Sequence, residues 1–471
     1  MTDTATITGG WRELLGARYL RTSILLAGGV ALYATNEFLT TSLLPNTIAE
    51  IGGSRLYAWV TTLYLVGSVV AAAMVNPLLL RVGARSSYLM GLAVFGASSL
   101  ICGAAPDMHV LIAGRALQGV AGGLLAGLGY AVINTALPRR LWTRGSALVS
   151  AMWGVATVVG PTTGGLFAQF GLWRWAFVAM AILTGLMATL VPIALAHADP
   201  SAAMPAKKVP VWSLLIIGAA ALAVSVAQIP RNVIATFGLL GLGIALVGLF
   251  VIVDWRMHAA ILPLSVFGPG PLKWMYLSMG VLMGAAMVNT YVPLFGQRLA
   301  HLNPVAAGFL GATLALGWTV SEIVSASLDS PQVIGRLIVA APLVAASGLA
   351  LGAVARSGDA SIWTAALWAV ALVVAGTGIG MAWPHLSARA MASVDAPAEG
   401  GAASAAINTV QLISAAVGAG LAGVVVNTAK GGDGMAAHLL FTVFTALSAA
   451  GVAVSYGATR GGREAAPGGP R

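Results

Sequence analysis

Long runs of apolar residues alternate along this chain with short polar segments that hold most of its charges. An α-helix needs about 20 apolar residues to cross a bilayer, whereas a barrel strand is shorter and alternates apolar with polar residues. The runs reach helical spanning length without that alternation, so the pattern predicts an all-α integral membrane protein. Fourteen transmembrane helices are predicted, at residues 22–46, 57–80, 87–105, 108–136, 145–169, 174–196, 211–229, 233–254, 272–296, 304–328, 333–355, 362–388, 401–428 and 435–457.

Composition excludes a soluble protein. Hydrophobic residues make up 58% of the 471 residues and charged residues only 8%, whereas a soluble domain carries roughly 25% charged residues. The first apolar run is too long for the hydrophobic region of a signal peptide, so it is predicted to be an uncleaved span. Cys102 is the single cysteine, so neither an intramolecular disulfide nor a thiolate metal cluster is expected, and no cofactor or metal is predicted.

The basic residues orient the predicted spans. With the N-terminus in the cytoplasm, cytoplasmic segments hold 17 basic residues, outer segments hold 6, and Arg115 lies inside a span. This positive-inside asymmetry predicts a multi-pass protein of the plasma membrane with both termini cytoplasmic. The net charge of +10 is then a topogenic signal that faces anionic lipid, and no nucleic-acid partner is expected. The 6 outer residues are Arg55, Arg174, Arg231, Arg298, Arg356 and Lys430.

An internal repeat appears when the sequence is shifted along itself by 258 residues. Residues 146–165 then lie over residues 404–423, and Ser146, Val159 and Gly160 match Ser404, Val417 and Gly418. This match pairs the fifth span with the thirteenth, which predicts two parallel six-helix halves with two extra helices inserted between them. The predicted domains are an N-terminal six-helix bundle at 1–196, a linker with two extra transmembrane helices at 197–257, a C-terminal six-helix bundle at 258–457 and a disordered cytoplasmic tail at 458–471.

Four sequence motifs follow one another along the chain. They are Arg115-Ala-Leu-Gln118-Gly119 in the fourth span, Gly154-x5-Gly160-Pro161-x-x-Gly164-Gly165 in the fifth, Leu172-Trp173-Arg174-Trp175-Ala176-Phe177 at the sixth and Ile261-Leu262-Pro263-Leu264-Ser265-Val266-Phe267 after the two extra helices. In this order they resemble the 14-helix drug:proton antiporter branch of the major facilitator superfamily. The resemblance covers nearly the whole chain and implies the major facilitator fold and export by alternating access.

One family motif is altered. The loop between the second and third spans reads Gly-x-x-x-Asp-Arg-x-Gly-Arg-Arg in the family, and here Leu80 and Ala84 replace the Asp and the first of the paired Arg residues. The inter-helix charge pair that the family uses as a gate latch is therefore missing. The resemblance still implies a gating role for Arg81, Gly83 and Arg85.

Glycines and a proline interrupt the fifth span, although both are poor helix formers. In lipid, small residues allow helix backbones to approach closely, and neighbouring helices satisfy the carbonyl that a proline frees. One hypothesis is a side-chain-free surface that lets the two halves rock while staying sealed; the alternative is ordinary helix packing. The residues concerned are Gly154, Gly160, Pro161, Gly164 and Gly165.

Three charged residues lie inside predicted spans, where a charge costs roughly 2.5–3.5 kcal/mol on insertion scales, and each is a candidate for proton coupling. Glu37 shares a helix face with Tyr33, Thr40 and Thr41. Asn36 beside it occupies the position at which relatives often carry Asp. Arg115 lies at a similar depth on the fourth span, and the resemblance makes the two helices neighbours. They are predicted to pair, either as a proton-coupling unit or as a static ion pair.

Glu322, on the tenth span, is predicted to be either a second proton site or a structural hydrogen-bonding group, and the structural role is favoured. Asn408 and Gln411 lie at a similar depth on the thirteenth span. His385, near the inner end of the twelfth span, is predicted to be an interfacial histidine with satisfied hydrogen bonds rather than a proton relay.

Methionines recur every four residues along the ninth span, at Met275, Met279, Met283 and Met287. Flexible thioethers suit a pocket for varied apolar ligands, but they also fill gaps between helices, and the second interpretation is slightly favoured. The predicted substrate cavity comprises Tyr33, Asn36, Thr40, Gln118, Met283, Met287, Asn289 and Tyr291.

The predicted function is proton-coupled secondary export of hydrophobic or amphipathic small molecules by a monomer, with protons and membrane lipids as the other partners. The first alternative is a lipid or glycolipid exporter on the same fold. A non-transporting receptor would not require Glu37 and Arg115 inside the membrane. A membrane-embedded enzyme is disfavoured because the sequence has no nucleophile–base motif at a recognisable spacing.

Overall fold

The structure is a computed structural model that describes residues 10–53, 56–195, 211–227, 233–257, 261–302, 304–354, 362–394 and 397–460. The predicted linker at 197–210 and the end of the predicted tail fall outside the described residues. The long helices are α1 Leu20–Ile51, α2 Tyr57–Ala73, α3 Val75–Gly103, α4 Met108–Ala131, α5 Trp142–Gln169, α6 Trp173–Ala194, α7 Val211–Val226, α8 Val233–Arg256, α9 Leu272–Ala286, α10 Pro304–Ser325, α11 Pro331–Val354, α12 Ile362–Ala392, α13 Pro397–Thr428 and α14 Gly432–Arg460.

Each of the fourteen predicted spans overlaps one of these helices, and the described part of the chain contains helices and no strands. Within that part, ten helices are long and apolar enough to cross a membrane, and α2 and α7 supply two shorter apolar helices. The all-α membrane fold predicted from the hydrophobic pattern is therefore confirmed.

Two spans depart from a single straight helix. The turn between the second and third spans lies within Val75–Gly103, at Gly83, whose φ of 75° and ψ of 170° leave the helical region. This left-handed φ favours glycine because a Cβ is disfavoured there. The ninth span changes from α-helix to a 3-10 helix at Met287–Thr290 and then continues as helix Val292–Leu299.

The long helices form two six-helix bundles with equivalent internal packing. In the first bundle, α1 packs on α5 and α6, α2 on α4, and α3 on α4 and α6; in the second, α9 packs on α13 and α14, α10 on α12, and α11 on α12 and α14. Each of these contacts in the first bundle therefore has a counterpart eight helices later. The two inserted helices, α7 and α8, pack on each other and fill the side of the molecule along α2 and α13.

The two bundles meet where α5 contacts α10 and α12, and where α13 contacts α2 and α4. We call the end of the molecule at which α1 begins and α14 ends the terminal face. Polar contacts join the bundles on this side: Trp11 donates to the hydroxyl of Ser327 (2.9 Å), and Arg144 pairs with Asp329 (3.6 Å). The terminal side of the junction is thus closed in this structure.

Candidate functional site

Arg115 is buried in the middle of the N-terminal bundle and is held by two side-chain amides. Its Nη1 donates to Oδ1 of Asn36 on α1 and to Oε1 of Gln118 on its own helix (2.9 Å). Gln118 in turn donates to the hydroxyl of Ser99 on α3 (2.8 Å). The guanidinium is therefore bound by neutral oxygen atoms that connect three helices.

Aromatic rings enclose the other side of this network. The guanidinium carbon of Arg115 lies 3.9 Å from the ring centroid of Tyr64 on α2, a cation–π arrangement. Tyr64 stacks on Tyr33 with centroids 5.3 Å apart and donates its hydroxyl to the Tyr33 backbone carbonyl (2.8 Å). Tyr33 donates to Ser68 (3.2 Å) and meets the ring of Trp153 edge-on. These contacts hold α1, α2, α4 and α5 in one arrangement.

Glycines of α4 make this enclosure possible. Gly119 and Gly123 lie against the backbone of α2 at Tyr64 and Ser68, and a Cβ at Gly122 would meet the ring of Tyr33 at 2.5 Å. Small residues let the backbones approach so closely that side chains of both helices meet around the buried charge.

Glu37 lies next to Asn36 but does not contact Arg115 directly. No ion pair joins Glu37 to Arg115 among the described residues, although their charges attract each other. Oε2 of Glu37 is buried without a hydrogen-bond partner in the described part of the chain, while the residue as a whole is half-buried. The expected direct pair is therefore replaced here by the Arg115–Asn36 hydrogen bond, because Asn36 projects toward α4.

The polar face predicted on α1 is divided between two environments. Thr40 is buried and donates to the carbonyl of Asn36 (2.8 Å), whereas Thr41 is exposed and donates to the carbonyl of Glu37 (3.1 Å). Both threonine hydroxyls therefore donate to backbone carbonyls of their own helix.

Glu322 lies at the junction of the two bundles. It is fully buried, and Trp318 on the same helix donates its indole N–H to Oε2 (3.1 Å). The Trp318 ring lies 5.5 Å from that of Trp383 on α12, and Trp383 donates to the hydroxyl of Tyr130 on α4 (3.2 Å). A buried acid thus sits within a chain of contacts that crosses from one bundle to the other.

Asn408 and Gln411 of α13 are buried, and their side-chain amide atoms have no hydrogen-bond partner among the described residues. Asn408 lies against α4 near Gly127. His385 is also buried, and its Nε2 contacts the hydroxyl (2.9 Å) and the carbonyl (3.0 Å) of Ser325. The histidine has the satisfied hydrogen bonds that were predicted for it.

The glycine motif of α5 faces three different surroundings. A Cβ on Gly154 would overlap the Thr319 hydroxyl of α10, so this glycine lies at the junction of the bundles. Gly160 and Gly164 instead pack on α1, against Phe38 and Leu39, within one bundle. Gly165 has open space around it, and Pro161 lies inside the helix. The prediction of one surface along the junction therefore applies to Gly154, and Gly160 and Gly164 are intra-bundle packing positions.

The altered loop motif retains the turn at its glycine but lacks the acidic residue of the family's inter-helix charge pair. Gly83 takes the left-handed conformation, and Ser87 donates to its carbonyl (2.7 Å). Arg81 is exposed and Arg85 half-buried, with Leu80 in the place of the acidic residue. The glycine of the motif is thus explained by backbone geometry alone.

The methionines of α9 are mostly packed inside the C-terminal bundle. Met275, Met279 and Met283 are buried, and Met287, at the start of the 3-10 turn, is half-buried and lies near Gly418 of α13. Beyond the turn, Asn289 lies beside Gly311 of α10, and Tyr291 contacts the ring of Phe295. The 3-10 turn separates Asn289 and Tyr291 from the helical repeat of the methionines.

Two acidic residues that accept hydrogen bonds in the structure were not identified from the sequence. Glu50, at the end of α1, accepts from the indole N–H of Trp173 (2.6 Å) and pairs with Arg174, which explains the Trp-Arg motif at the start of α6. Asp254, at the end of α8, accepts from the backbone N–H groups of Ile261 (2.8 Å) and Leu262 (2.9 Å). The sequence signal that could have identified both residues is an acidic residue in the last turn of an apolar span, near a family motif in the fold.

Two pseudo-equivalent six-helix bundles, a polar network buried among apolar helices and a junction closed on one side define a secondary membrane transporter of the alternating-access class. A sequence model of the Major Facilitator Superfamily matches residues 26–419, and the chain belongs to this superfamily.

The comparison with curated proteins identifies relatives along the whole chain. One, named "Probable multidrug-efflux transporter", from Mycobacterium tuberculosis, is 70% identical over 464 residues and covers 98% of this chain and 98% of its own length. The multidrug transporter protein MdtP of Bacillus subtilis is 25% identical over 342 residues, covering 71% of this chain and 63% of MdtP.

Among solved structures, the human organic anion transporter MFSD10 (TETRAN) superposes with a TM-score of 0.70 at 14% identity, over 93% of this chain and 99% of that one. At this identity the likeness supports the fold alone.

Proposed function

We propose that this protein is a proton-coupled secondary exporter of hydrophobic or amphipathic small molecules, working by alternating access. The observation that carries the proposal is the buried Arg115 network beside an acid, Glu37, that has an oxygen atom free to take a proton. The name of the 70%-identical mycobacterial relative supports multidrug efflux as the kind of transport.

Proton coupling needs an acid whose affinity for a proton changes during the cycle. Burial favours the neutral form of a carboxyl group, and a nearby guanidinium favours the ionised form. In the closed arrangement described here Arg115 is bonded to Asn36 and Gln118. We propose that in another state Arg115 moves from Asn36 toward the neighbouring Glu37, which expels the proton, and that a cationic substrate competes with the proton for the same carboxylate.

The proposed substrate cavity combines residues from both bundles. On the N-terminal side it comprises Tyr33, Asn36, Thr40 and Gln118, which surround or adjoin the Arg115 network. On the C-terminal side it comprises Met283, Met287, Asn289 and Tyr291 beside the 3-10 turn of α9. If the methionines line the cavity, changing Met287 to Ala alters the ranking of substrates; a uniform change across substrates indicates a packing role.

The proposed location is the plasma membrane, with both termini cytoplasmic and the protein acting as a monomer with protons, substrate and lipid as partners. A single cysteine at position 204, in a Cys102→Ser background, tests the orientation. Labelling by a membrane-impermeant thiol reagent from the cytoplasmic side is expected, and labelling from outside contradicts the proposed topology.

Reconstitution into proteoliposomes with an imposed pH gradient tests the function. Uphill movement of dyes or drugs is expected for the wild type, and Glu37→Gln is expected to bind substrate but lose pH-driven uphill transport. Arg115→Ala is expected to shift the pH optimum upward. Asp433→Asn, which removes a half-buried acid of the C-terminal bundle that pairs with Arg298, is the matched control. Uphill pumping by Glu37→Gln at the wild-type rate would overturn the coupling proposal.

Lipid export on this fold is the second candidate function, because Leu80 removes the acidic residue of the family's inter-helix charge pair. Labelled lipids are therefore included in the same assay. Movement of lipid without dependence on the pH gradient, and no movement of drugs, favours that candidate.

A further inference from the structure

A cleft of about 190 Å³ opens between the two bundles at the terminal face. The N-terminal bundle lines it with Arg139, Trp142 and Thr143, and the C-terminal bundle lines it with Ile334, His385 and Arg389. The cleft therefore exists only while the two bundles are held together on this side, and it is separate from the Arg115 network.

Positive charge dominates the cleft. Arg389 is half-buried and Arg139 exposed, and neither guanidinium has an ion pair or hydrogen bond in the described part of the chain. The Arg139 guanidinium lies 5.9 Å from the ring centroid of Trp142. Arg144, close to His385, is buried with its Nε atom unpartnered among the described residues. Asp329 pairs with Arg144 at 3.6 Å and acts electrostatically on His385, but no acidic side chain lines the cleft itself among the described residues.

Arginines in this arrangement favour an oxyanion. A half-buried guanidinium without a counter-charge has lost part of its hydration without compensation. The planar guanidinium forks bind phosphate oxygens with paired, charge-assisted hydrogen bonds, and the Thr143 hydroxyl adds a donor. Trp142 and Ile334 give the cleft apolar walls, which suit the hydrocarbon part of a lipid next to its phosphate headgroup.

We propose that this cleft binds a phosphate group, carried by an anionic phospholipid or present as inorganic phosphate, and that the bound phosphate holds the two bundles together at the terminal face. Arg139 and Arg389 belong to different bundles, so a ligand that contacts both is bound only when the bundles are closed. Such a ligand shifts the equilibrium toward the closed terminal face by its differential affinity for the two states.

The test uses the full-length protein in a neutral detergent and requires no transport, so its outcome is independent of the proposed function. Cys102 is the single cysteine and is fully buried, so a thiol-reactive fluorophore reports thermal unfolding. Phosphatidylglycerol solubilised in the same detergent, inorganic phosphate, and phosphatidylcholine solubilised in the same detergent are added in turn. A saturable rise in the unfolding midpoint is expected with a phosphate ligand that bears net negative charge, and none with phosphatidylcholine.

Three variants locate the effect. Arg389→Gln and Arg139→Gln are expected to lose the rise, and Arg12→Gln, an exposed arginine at the same face outside the cleft, is expected to keep it. Arg139 is exposed, so its variant keeps the test valid if Arg389→Gln fails to fold. A rise with phosphatidylglycerol alone identifies the lipid as the source, and a rise with both ligands identifies free phosphate. No rise, or an equal rise in the cleft variants, overturns the proposal.

A distance measurement tests the closing role. Spin labels at the exposed positions Thr135 and Gln332, in a Cys102→Ser background, report the separation of the bundles at the terminal face. The effective ligand is expected to narrow the distance distribution toward the shorter separation, and Arg139→Gln to abolish that response. If the ligand leaves the distance distribution unchanged, the proposal that it holds the two bundles together is overturned.

Discussion

Gly154 of α5 and Thr319 of α10 meet at the junction of the two bundles with no room for a side chain between them. A Cβ on Gly154 would overlap the threonine hydroxyl and lie 3.3 Å from the Ala315 carbonyl oxygen. This contact belongs to opposite bundles, so it must open if the terminal face opens. The same motif's Gly160 packs within one bundle and need not move relative to its neighbour.

Gly154→Val is therefore expected to disfavour the closed terminal face. Overpacking at a tight contact costs about 1–3 kcal/mol, which corresponds to roughly 5- to 150-fold in an equilibrium constant. The spin-label pair at positions 135 and 332 should report a wider separation, and transport should slow. Gly165→Val, on the same helix with open space around it, is the control. Equal behaviour of the two variants would contradict a specific role for Gly154.

Glu322 is expected to stabilise the junction without carrying the transported proton. Glu322→Gln retains an oxygen that can accept from the Trp318 indole, so uphill transport should persist. Glu322→Ala leaves the buried indole N–H without its partner, which costs about 1–3 kcal/mol, and should lower the unfolding midpoint. Both variants are compared in the Cys102 unfolding assay and in proteoliposomes. Loss of proton coupling in Glu322→Gln alone would make Glu322 the coupling acid.

The short helix Trp11–Leu14 ties the chain's beginning to both bundles and should respond to acid. Arg140 donates to Glu13 (2.6 Å), and this hydrogen bond holds the pKa of Glu13 below its ordinary value of 4.5, with a smaller attraction from Arg18. A lowered pKa in the folded state means that the contribution is complete at neutral pH and is lost as the pH falls through that pKa.

A spin label at position 12, in a Cys102→Ser background, should therefore be less mobile at neutral pH and gain mobility in acid. Glu13→Gln lacks the titrating group and is expected to show no such transition. An identical transition in Glu13→Gln would assign the acid response to another group.

The sequence predicts the helices well because spanning length and hydrophobicity are properties of continuous segments. The contacts of single residues within those helices are harder to predict. Arg115 was predicted as the central buried charge, but its partner was expected to be Glu37 and is Asn36. Neighbouring side chains on a helix point about 100° apart, so only one of Asn36 and Glu37 can face α4. Which of the two does so depends on how α1 packs on α4, and that packing cannot be read from the sequence.

The glycine motif shows the same limit. Its composition indicates close packing, and the structure has it, but the partner helix differs between Gly154 and Gly160. Contacts between helices distant in the sequence, such as Trp383 with Tyr130, leave no periodic signal at all. Such residues are found only once the bundles are placed against each other.

Exchanging the acid between the two neighbouring positions tests the Arg115 hypothesis most directly. In the double variant Asn36→Asp with Glu37→Gln, the acid occupies the position that bonds to Arg115, so charge and pairing are retained but their geometry is changed. We expect uphill transport, which Glu37→Gln alone should lose, to return with its maximum at a lower pH. The shift follows because an adjacent guanidinium favours the ionised carboxylate. Export rates in proteoliposomes across a pH series provide the measurement, and Asn36→Asp alone shows the effect of a second acid. A double variant as inactive as Glu37→Gln would show that coupling depends on the position of Glu37 rather than on an acid within reach of Arg115.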